Sequence, residues 1–215
     1  MSDLFLQRAF ELVSIARDLH GHGWLRGTSG NLSAVVEPDP LRLAITPSGA
    51  DKGELKVEQI LLIDQDAKCV EGSHQGKPSD ETLLHIAIVK ARSAGAVIHT
   101  HSVWSTILSD LYGPEGGFSI EGYEMLKGLK GVTSHEQREF IPIIDNSQDM
   151  PALASSLADA LSKHPDAHAV LLKRHGLYTW GRDLKEAKRH VEILEFLFET
   201  RARTLRIDPS ARDKN

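Results

Sequence analysis

The spacing of apolar residues locates a long helix near each end of the chain. After Ser2, apolar side chains recur at helical spacing until Gly21 and Gly23 interrupt the pattern, which predicts an amphipathic helix. Near the other end, Asp183 stands directly before a long segment rich in Glu, Lys and Arg and predicts the N-cap of a final helix.

Short apolar or alternating runs between these two helices predict strands, and longer runs with a helical period predict further helices. The predicted strands are 32–36, 41–45, 60–63, 96–101, 140–144, 169–173 and 177–180. The predicted helices are 79–92, 103–111, 121–129 and 150–162. Because the first three strands follow one another without a helix, the order favours a mixed or antiparallel sheet covered by helices over a doubly wound sheet.

Length and composition limit the domain count and the class of partner. A chain of 215 residues fits one core, so we expect a single domain over residues 1–205 and a polar tail over 206–215. Hydrophobic residues make up 40% of the sequence and charged residues 26%, which is enough apolar surface for a packed core. The net charge of -5 is opposite in sign to what a nucleic-acid backbone attracts, so no nucleic-acid partner is expected.

The sequence predicts a cytoplasmic protein with no membrane partner. No apolar run approaches the ~20 residues that span a bilayer, and the N-terminus lacks the pattern of a secretory signal. Cys69 is the only cysteine, so no internal disulfide can form, and we expect this residue to be half-buried in a strand.

His99 and His101 are the first candidates for chemistry. Residues two apart in a strand point to the same face, so these imidazoles project together while Thr100 points away. Catalytic zinc generally takes three protein ligands, and His175, at a turn after an apolar strand, is the best third candidate. The alternatives are two ordinary strand histidines and a hydrogen-bonded turn histidine. His85 could face the site, although a place in a helix core is favoured.

Three short runs offer the small residues and donors that a phosphate or carboxylate needs. The runs are 28–31, 46–49 and 77–79. Ser79 is also predicted to cap a helix that begins at Asp80, which would direct the positive helix end toward an anion. An ordinary turn is the competing interpretation for each run alone.

Two glutamates are candidates for proton transfer. A carboxylate whose pKa is raised toward neutrality could move a proton in such a site, and Glu81 and Glu124 are the two to weigh. Each also has a simpler explanation: Glu81 would complement a helix dipole in the first turn, and Glu124 would be a solvated charge facing Lys127.

The motifs become specific when they are taken together in chain order. They are TSGNLS at 28–33, ITPSG at 45–49, KPSDET at 77–82, HTHS at 99–102 and RHG at 174–176. This set resembles the class II aldolase and adducin-like family across nearly the whole chain. The resemblance implies an α/β protein with three layers, α/β/α, and a mostly antiparallel central sheet. It also implies a homotetramer with sites near subunit boundaries.

The resemblance assigns roles to the candidate residues. It places one Zn²⁺ per subunit on His99, His101 and His175, with Glu124 as the general acid/base and Glu81 as a supporting acid. It implies that a phosphorylated ketose is held through its phosphate by Gly30, Asn31, Ser48, Gly49 and Ser79. Asp80 departs from the family pattern, because a small or hydroxyl residue is common there and a carboxylate would repel phosphate unless it points outward.

Within the family, the segments 122–128 and 175–181 look like those of a branch that removes water from a phosphorylated ketose. The nearest alternative is a sugar-phosphate aldolase or pentulose-phosphate 4-epimerase, which would use the same site. A non-enzymatic, adducin-like interaction module is the remoter alternative, and it predicts missing metal ligands.

Overall fold

The structure of the protein is a computed structural model that describes residues 2–70, 76–208 and 210. The helices in these ranges are α1 (Asp3–Gly21), α2 (Thr82–Arg92), α3 (Val103–Leu111), α4 (Met150–Lys163) and α5 (Leu184–Ile207). The strands are β1 (Asn31–Pro38), β2 (Leu41–Ile45), β3 (Leu61–Asp64), β4 (Ala96–Thr100), β5 (Gly117–Ile120), β6 (Glu139–Ile144), β7 (Ala169–Leu172) and β8 (Gly176–Gly181). Ser2 and Asp183 cap α1 and α5 as predicted, because each side chain accepts a hydrogen bond from a backbone N–H of the first turn.

The strands form one sheet with the order β3-β2-β1-β4-β8-β7-β6-β5. Only β6 and β7 pair in parallel, and every other neighbouring pair in the described ranges is antiparallel. The prediction of a mostly antiparallel sheet is therefore confirmed. β4 lies in the middle of the sheet, where β1 and β8 hydrogen-bond to its two edges.

Helices cover both faces of this sheet and complete the three predicted layers. On β4, Ala96 and Ile98 share a buried core with α1 and α5, whereas Val97 points into the core formed with α2 and α4. α3 packs on the same side as α5. Because side chains alternate along a strand, His99 shares the face of Val97 and points toward α2, while Thr100 points toward α5.

The segment between α3 and β6 differs from the prediction. The predicted helix over 121–129 is wrong: the structure has a short 3-10 turn, Glu124–Gly128, after Gly122 with a positive φ of 80°. A left-handed glycine ends regular helix, so the helical spacing of apolar residues was misleading here. β5 was not predicted, because its four residues are too short to show a period.

Three further expectations can be compared with the structure. Cys69 is exposed and lies outside the strands, because it follows β3 and its pairing with Ile63 is an isolated bridge, not part of a strand. α5 continues to Ile207, two residues into the predicted tail, of which Pro209 and 211–215 lie outside the described residues. Across the described part of the chain, no helix combines the length and the apolar character needed to cross a membrane.

Candidate metal centre and anion cavity

The C-terminal end of β4 brings His99 and His101 together. His99 is fully buried in the middle of the sheet, and its ring stacks on Tyr178 of β8 with 4.0 Å between ring centroids. The backbone N–H of His101 donates to the carbonyl of Trp24, at 2.8 Å, just beyond the end of the strand. The Nε2 atoms of the two histidines lie 2.8 Å apart, so the strand presents both imidazoles to one point as predicted.

His175 reaches the same point from the three-residue turn between β7 and β8. Arg174 adopts a positive φ of 56°, and its backbone N–H donates to the Ser109 hydroxyl while its guanidinium pairs with Asp110 of α3. These two contacts anchor the turn to α3. As a result, the Nε2 atoms of His175 and His99 lie 3.3 Å apart.

Hydrogen bonds at Nδ1 orient two of these rings as metal ligands require. His99 Nδ1 donates to the carbonyl of Leu177 at 2.9 Å, and His175 Nδ1 donates to Asn146 Oδ1 at 3.4 Å. In a neutral imidazole this leaves the lone pair on Nε2, which is how outer hydrogen bonds orient metal-binding histidines. Zinc–nitrogen bonds of about 2.0–2.1 Å at tetrahedral angles separate two ligand nitrogens by about 3.3 Å. The observed separations of Nε2 atoms are 3.3 Å for His99 and His175 and 2.8 Å for His99 and His101.

Glu81 joins the three histidines. One ligand atom from each of Glu81, His99, His101 and His175 lies within 4.8 Å of all the others, so the four side chains could hold a metal ion. Glu81 Oε1 is 3.1 Å from His175 Nε2 and 3.6 Å from His99 Nε2. Burial raises the pKa of Glu81, but the neighbouring His175 and then His99 outweigh it and hold the pKa well below 4.5.

Burial also keeps His101 neutral. Desolvation lowers the pKa of His101 from 6.5 to about 3, and the nearby charges of His99 and His175 lower it further in the same direction. A neutral imidazole and an ionised carboxylate are the forms that bind metals. The neutral His101 and the ionised Glu81 are therefore in the forms that bind a divalent cation, and their ligand atoms lie close enough together to share one.

A buried hydrogen-bond chain holds Glu81 in place. Ser33 Oγ lies 2.7 Å from His85 Nδ1, and His85 Nε2 lies 2.5 Å from Asn31 Oδ1. The Asn31 amide then donates to Glu81 Oε2 at 2.6 Å and to Ser79 Oγ at 3.2 Å. His85 is thus a buried helix residue that faces the site through Asn31 rather than directly.

The burial of His85 makes the stability of the metal-free protein depend on pH. Desolvation, then the charge of His99, lowers the pKa of His85 from 6.5 to about 3. Between these pH values the folded state binds fewer protons than the unfolded state. The contribution of His85 to the free energy of unfolding is therefore complete above pH 6.5 and is lost as the pH falls. We expect His85 to lower the free energy of unfolding by about 2 kcal/mol as the pH falls from about 6.5 to about 5.

Urea unfolding of the metal-free protein at several pH values measures this dependence. His101 and His190 also have lowered pKa values, of about 3 and about 4, and they add to the same slope. The His85→Gln variant should therefore show a flatter dependence, not a flat one. An unchanged slope in that variant would contradict the role of His85.

A cavity of about 130 Å³ opens beside the four metal-binding candidates. The predicted anion-binding residues Gly30, Asn31, Ser48, Gly49 and Ser79 all line it, as do Thr28, Ser29, Pro47, Lys52, Glu81 and His101. Gly30 has a φ of 69°, and a Cβ there would lie 2.7 Å from the His99 carbonyl oxygen, so glycine lets the cavity wall pack directly on β4.

Ser79 and Asp80 differ from their predicted environments. α2 begins at Thr82, and the Ser79 hydroxyl accepts from the Glu81 N–H two residues on, which is a serine turn rather than a helix cap. The predicted cap is therefore wrong, although Ser79 still faces the cavity. Asp80 points outward and pairs with Lys77 at 3.2 Å, which removes its carboxylate from an anion in the cavity.

The family of this chain follows from its likeness to known proteins. A family model described as the class II aldolase and adducin N-terminal domain matches residues 10–202. The chain belongs to this family. The predicted resemblance is thereby confirmed, and the class II aldolase fold is confirmed with it.

Two curated relatives are similar to this class II aldolase family member over nearly the whole chain. Methylthioribulose-1-phosphate dehydratase of Methylococcus capsulatus is 43% identical over 200 residues, which cover 93% of this chain and 95% of the relative. The enzyme of the same name from Marinobacter nauticus is 40% identical over 200 residues, covering 93% and 94%. Among solved structures, L-fuculose 1-phosphate aldolase matches with a TM-score of 0.78 and 25% identity, covering 97% of this chain and 89% of that one.

Within a single chain, Glu124 does not belong to the cluster of three histidines and Glu81. It is exposed at the start of the 3-10 turn, in contact with Lys127, and its Oε2 lies 3.6 Å from His135 Nδ1. The hydrogen bond and charge of Lys127 lower the pKa of Glu124. It is not among the described residues that line the cavity or form the histidine cluster.

Sequence reasoning missed two buried charged residues around the class II aldolase site. Lys52 lines the cavity and is fully buried, although its neighbours along the chain are small or polar. Glu195 of α5 is buried behind β4 and accepts a hydrogen bond from Thr100 at 3.2 Å, and desolvation raises its pKa to about 7. A charged residue at an apolar-face position of α5 was the only available signal for Glu195.

Proposed function

We propose that this protein is a hydro-lyase that converts 5-methylthioribulose 1-phosphate to 2,3-diketo-5-methylthiopentyl 1-phosphate and water, a step of methionine salvage. The observation that carries the proposal is the likeness, at 40–43% identity over nearly the full length, to relatives named methylthioribulose-1-phosphate dehydratase. The cluster of Glu81, His99, His101 and His175 beside an anion-sized cavity supports it.

The proposed cofactor is one Zn²⁺ per subunit, with His99, His101 and His175 as ligands. Three imidazoles suit zinc, and they also suit iron, cobalt or nickel. When bound, the metal supplies Lewis-acid polarisation of the ketose carbonyl, which makes the neighbouring C–H bond more acidic. Glu81 is the supporting acid: its ionised carboxylate, held by Asn31, faces the ligand atoms and adds negative charge beside the cation.

The substrate phosphate is proposed to bind in the cavity and to stay unchanged throughout the reaction. Neutral donors line the wall, including the hydroxyls of Ser48 and Ser79 and the backbone around Gly30 and Gly49. Asn31 contributes by holding Ser79, because both N–H groups of its amide are already donated to Ser79 and Glu81. Anchoring the phosphate keeps the reacting carbons in register with the cluster.

Glu124 is proposed to be the general acid/base, acting on a substrate bound by a neighbouring subunit of a homotetramer. In one chain Glu124 is exposed and does not line the cavity, which is why the proposal brings it to the cavity of a second subunit. As the base, Glu124 first takes the proton from C3, and the same carboxyl group then returns that proton to the C4 hydroxyl, which departs as water. The enol that remains ketonises to the diketone.

The test of the proposed function is a product assay on the purified, metal-loaded protein. We expect 5-methylthioribulose 1-phosphate to yield the diketone, and fuculose 1-phosphate and ribulose 5-phosphate to yield no aldehyde or epimer. The likeness to L-fuculose 1-phosphate aldolase makes retro-aldol cleavage the second candidate. Cleavage of fuculose 1-phosphate without diketone formation from the first substrate would overturn the proposal. The cytoplasmic location stays a prediction.

A further inference from the structure

Lys52 is a fully buried ammonium group in the wall of the anion cavity. Its Nζ donates to the carbonyl of Thr28 at 3.0 Å and to the carbonyl of Ala50 at 2.8 Å. An ammonium group has three N–H donors, so these two bonds leave one for another acceptor. The side chain therefore ties two loops of the cavity together without using its full capacity.

The charge of Lys52 has no close counter-charge in the described chain. Among the described residues, no carboxylate lies within the 4.0 Å of an ion pair, and Asp51 and Glu81 act on it only at longer range. Burying a cation costs several kcal/mol unless something compensates it. A structural tie between two carbonyls needs donors but no charge, so the tie alone does not account for an ammonium group here.

The rest of the cavity wall supplies only neutral donors to an anion. Apart from Lys52, its described lining contains no lysine or arginine, and the Glu81 carboxylate is negative. The Ser48 backbone N–H already donates to the Lys77 carbonyl at 3.0 Å. The Ser79 hydroxyl accepts two hydrogen bonds and keeps its own hydrogen for donation. A doubly charged phosphate in this cavity would need a cation, and Lys52 is the described lining residue that provides one.

We propose that the Lys52 ammonium binds the phosphate group of the substrate directly and sets the preference for phosphorylated over unphosphorylated ketoses. This inference rests on the proposed function for the identity of the substrate. The chemistry itself requires only a phosphoryl anion in the cavity. Lys52 is thus a substrate-binding residue, in addition to its two hydrogen bonds within the chain.

The experiment compares neutral and charged replacements in the metal-loaded protein. Lys52→Gln keeps amide donors for the two carbonyls but removes the charge, Lys52→Met removes both, and Lys52→Arg keeps the charge. We expect the two neutral variants to bind inorganic phosphate about 30- to 100-fold more weakly by calorimetry, with Lys52→Arg closer to wild type. The KM for 5-methylthioribulose 1-phosphate should rise by a similar factor, while kcat changes less.

Two readouts separate phosphate binding from a structural role. Metal content and the thermal transition identify the variants that keep their fold, and unphosphorylated 5-methylthioribulose should inhibit those variants as well as it inhibits wild type. Lys68→Met, at an exposed lysine outside the cavity, is the matched control and should behave like wild type. Equal phosphate affinity in the folded neutral and charged variants would overturn the proposal. Failure of the proposed function would show separately, as absence of diketone formation by wild type.

Discussion

Replacement of His99 by alanine is expected to remove both the metal and the activity. His99 is the central ligand: its Nε2 lies 2.8 Å from that of His101 and 3.3 Å from that of His175. Its ring is fixed by the Leu177 carbonyl and by stacking on Tyr178, which hold its Nε2 toward the other ligand atoms. The loss of metal affinity should exceed the about 10- to 100-fold effect of changing an outer hydrogen-bond partner.

Elemental analysis after dialysis and a turnover assay measure these two losses. His22→Ala is the matched control, because His22 is exposed and is not one of the four side chains of the cluster, and it should keep both metal and rate. Removing a buried ring also leaves a cavity, so urea unfolding of the metal-free wild type and variant should accompany the assay. A His99→Ala protein that is folded and retains one metal per subunit would refute the ligand assignment.

The strand histidines could be predicted because a strand has a fixed side-chain period. A run such as His99-Thr100-His101 places two rings on one face in any sheet, and the order of apolar runs was enough to make that segment a strand. The distance from His175 could not be derived in this way. It depends on the pairing of β4 with β8, where His99 is opposite Tyr178, and sequence spacing carries no information about such long-range register.

The anion cavity shows a different limit of sequence reasoning. Glycine, serine and asparagine in short runs could be identified as possible anion ligands, and the structure places all five of the predicted phosphate-binding residues around one cavity. Lys52 could not be found, because a lysine in a polar loop is exposed in most proteins and nothing in its neighbours signals burial. The buried ammonium group donates to the carbonyls of Thr28 and Ala50, and Thr28 belongs to a different loop from Lys52.

Glu81 illustrates how a local explanation can hide a site residue. An acid near the start of a helix needs no function beyond the helix dipole. In the structure Glu81 immediately precedes α2 and makes no capping hydrogen bond with its side chain. The carboxylate instead turns toward His175 and Asn31, so the interaction that decides its role comes from distant parts of the chain. The spacing of motifs alone could not reveal this.

Glu124→Gln is expected to keep the metal and to lose turnover by about 10²- to 10⁴-fold, the range for a general acid/base. The amide has nearly the same shape but cannot accept or deliver a proton. Because Glu124 of one chain is exposed and is not among the described residues that line the cavity, the loss should come from a neighbouring subunit's site. In the single chain Lys127 lowers the pKa of Glu124, whereas desolvation at an interface would raise it toward the value that a general acid needs.

Mixed oligomers test both the residue and its location. Neither Glu124→Gln nor His99→Ala alone should turn over substrate, but co-expressed subunits should regain activity where an intact Glu124 meets an intact metal site of another chain. Glu121→Gln is the matched control, an exposed acid three residues earlier that should leave the rate unchanged. Full activity of purified Glu124→Gln would remove this residue from the mechanism. Inactive Glu124→Gln without recovery in mixed oligomers would instead show that Glu124 acts within its own chain, through a movement of the 3-10 turn toward the cluster.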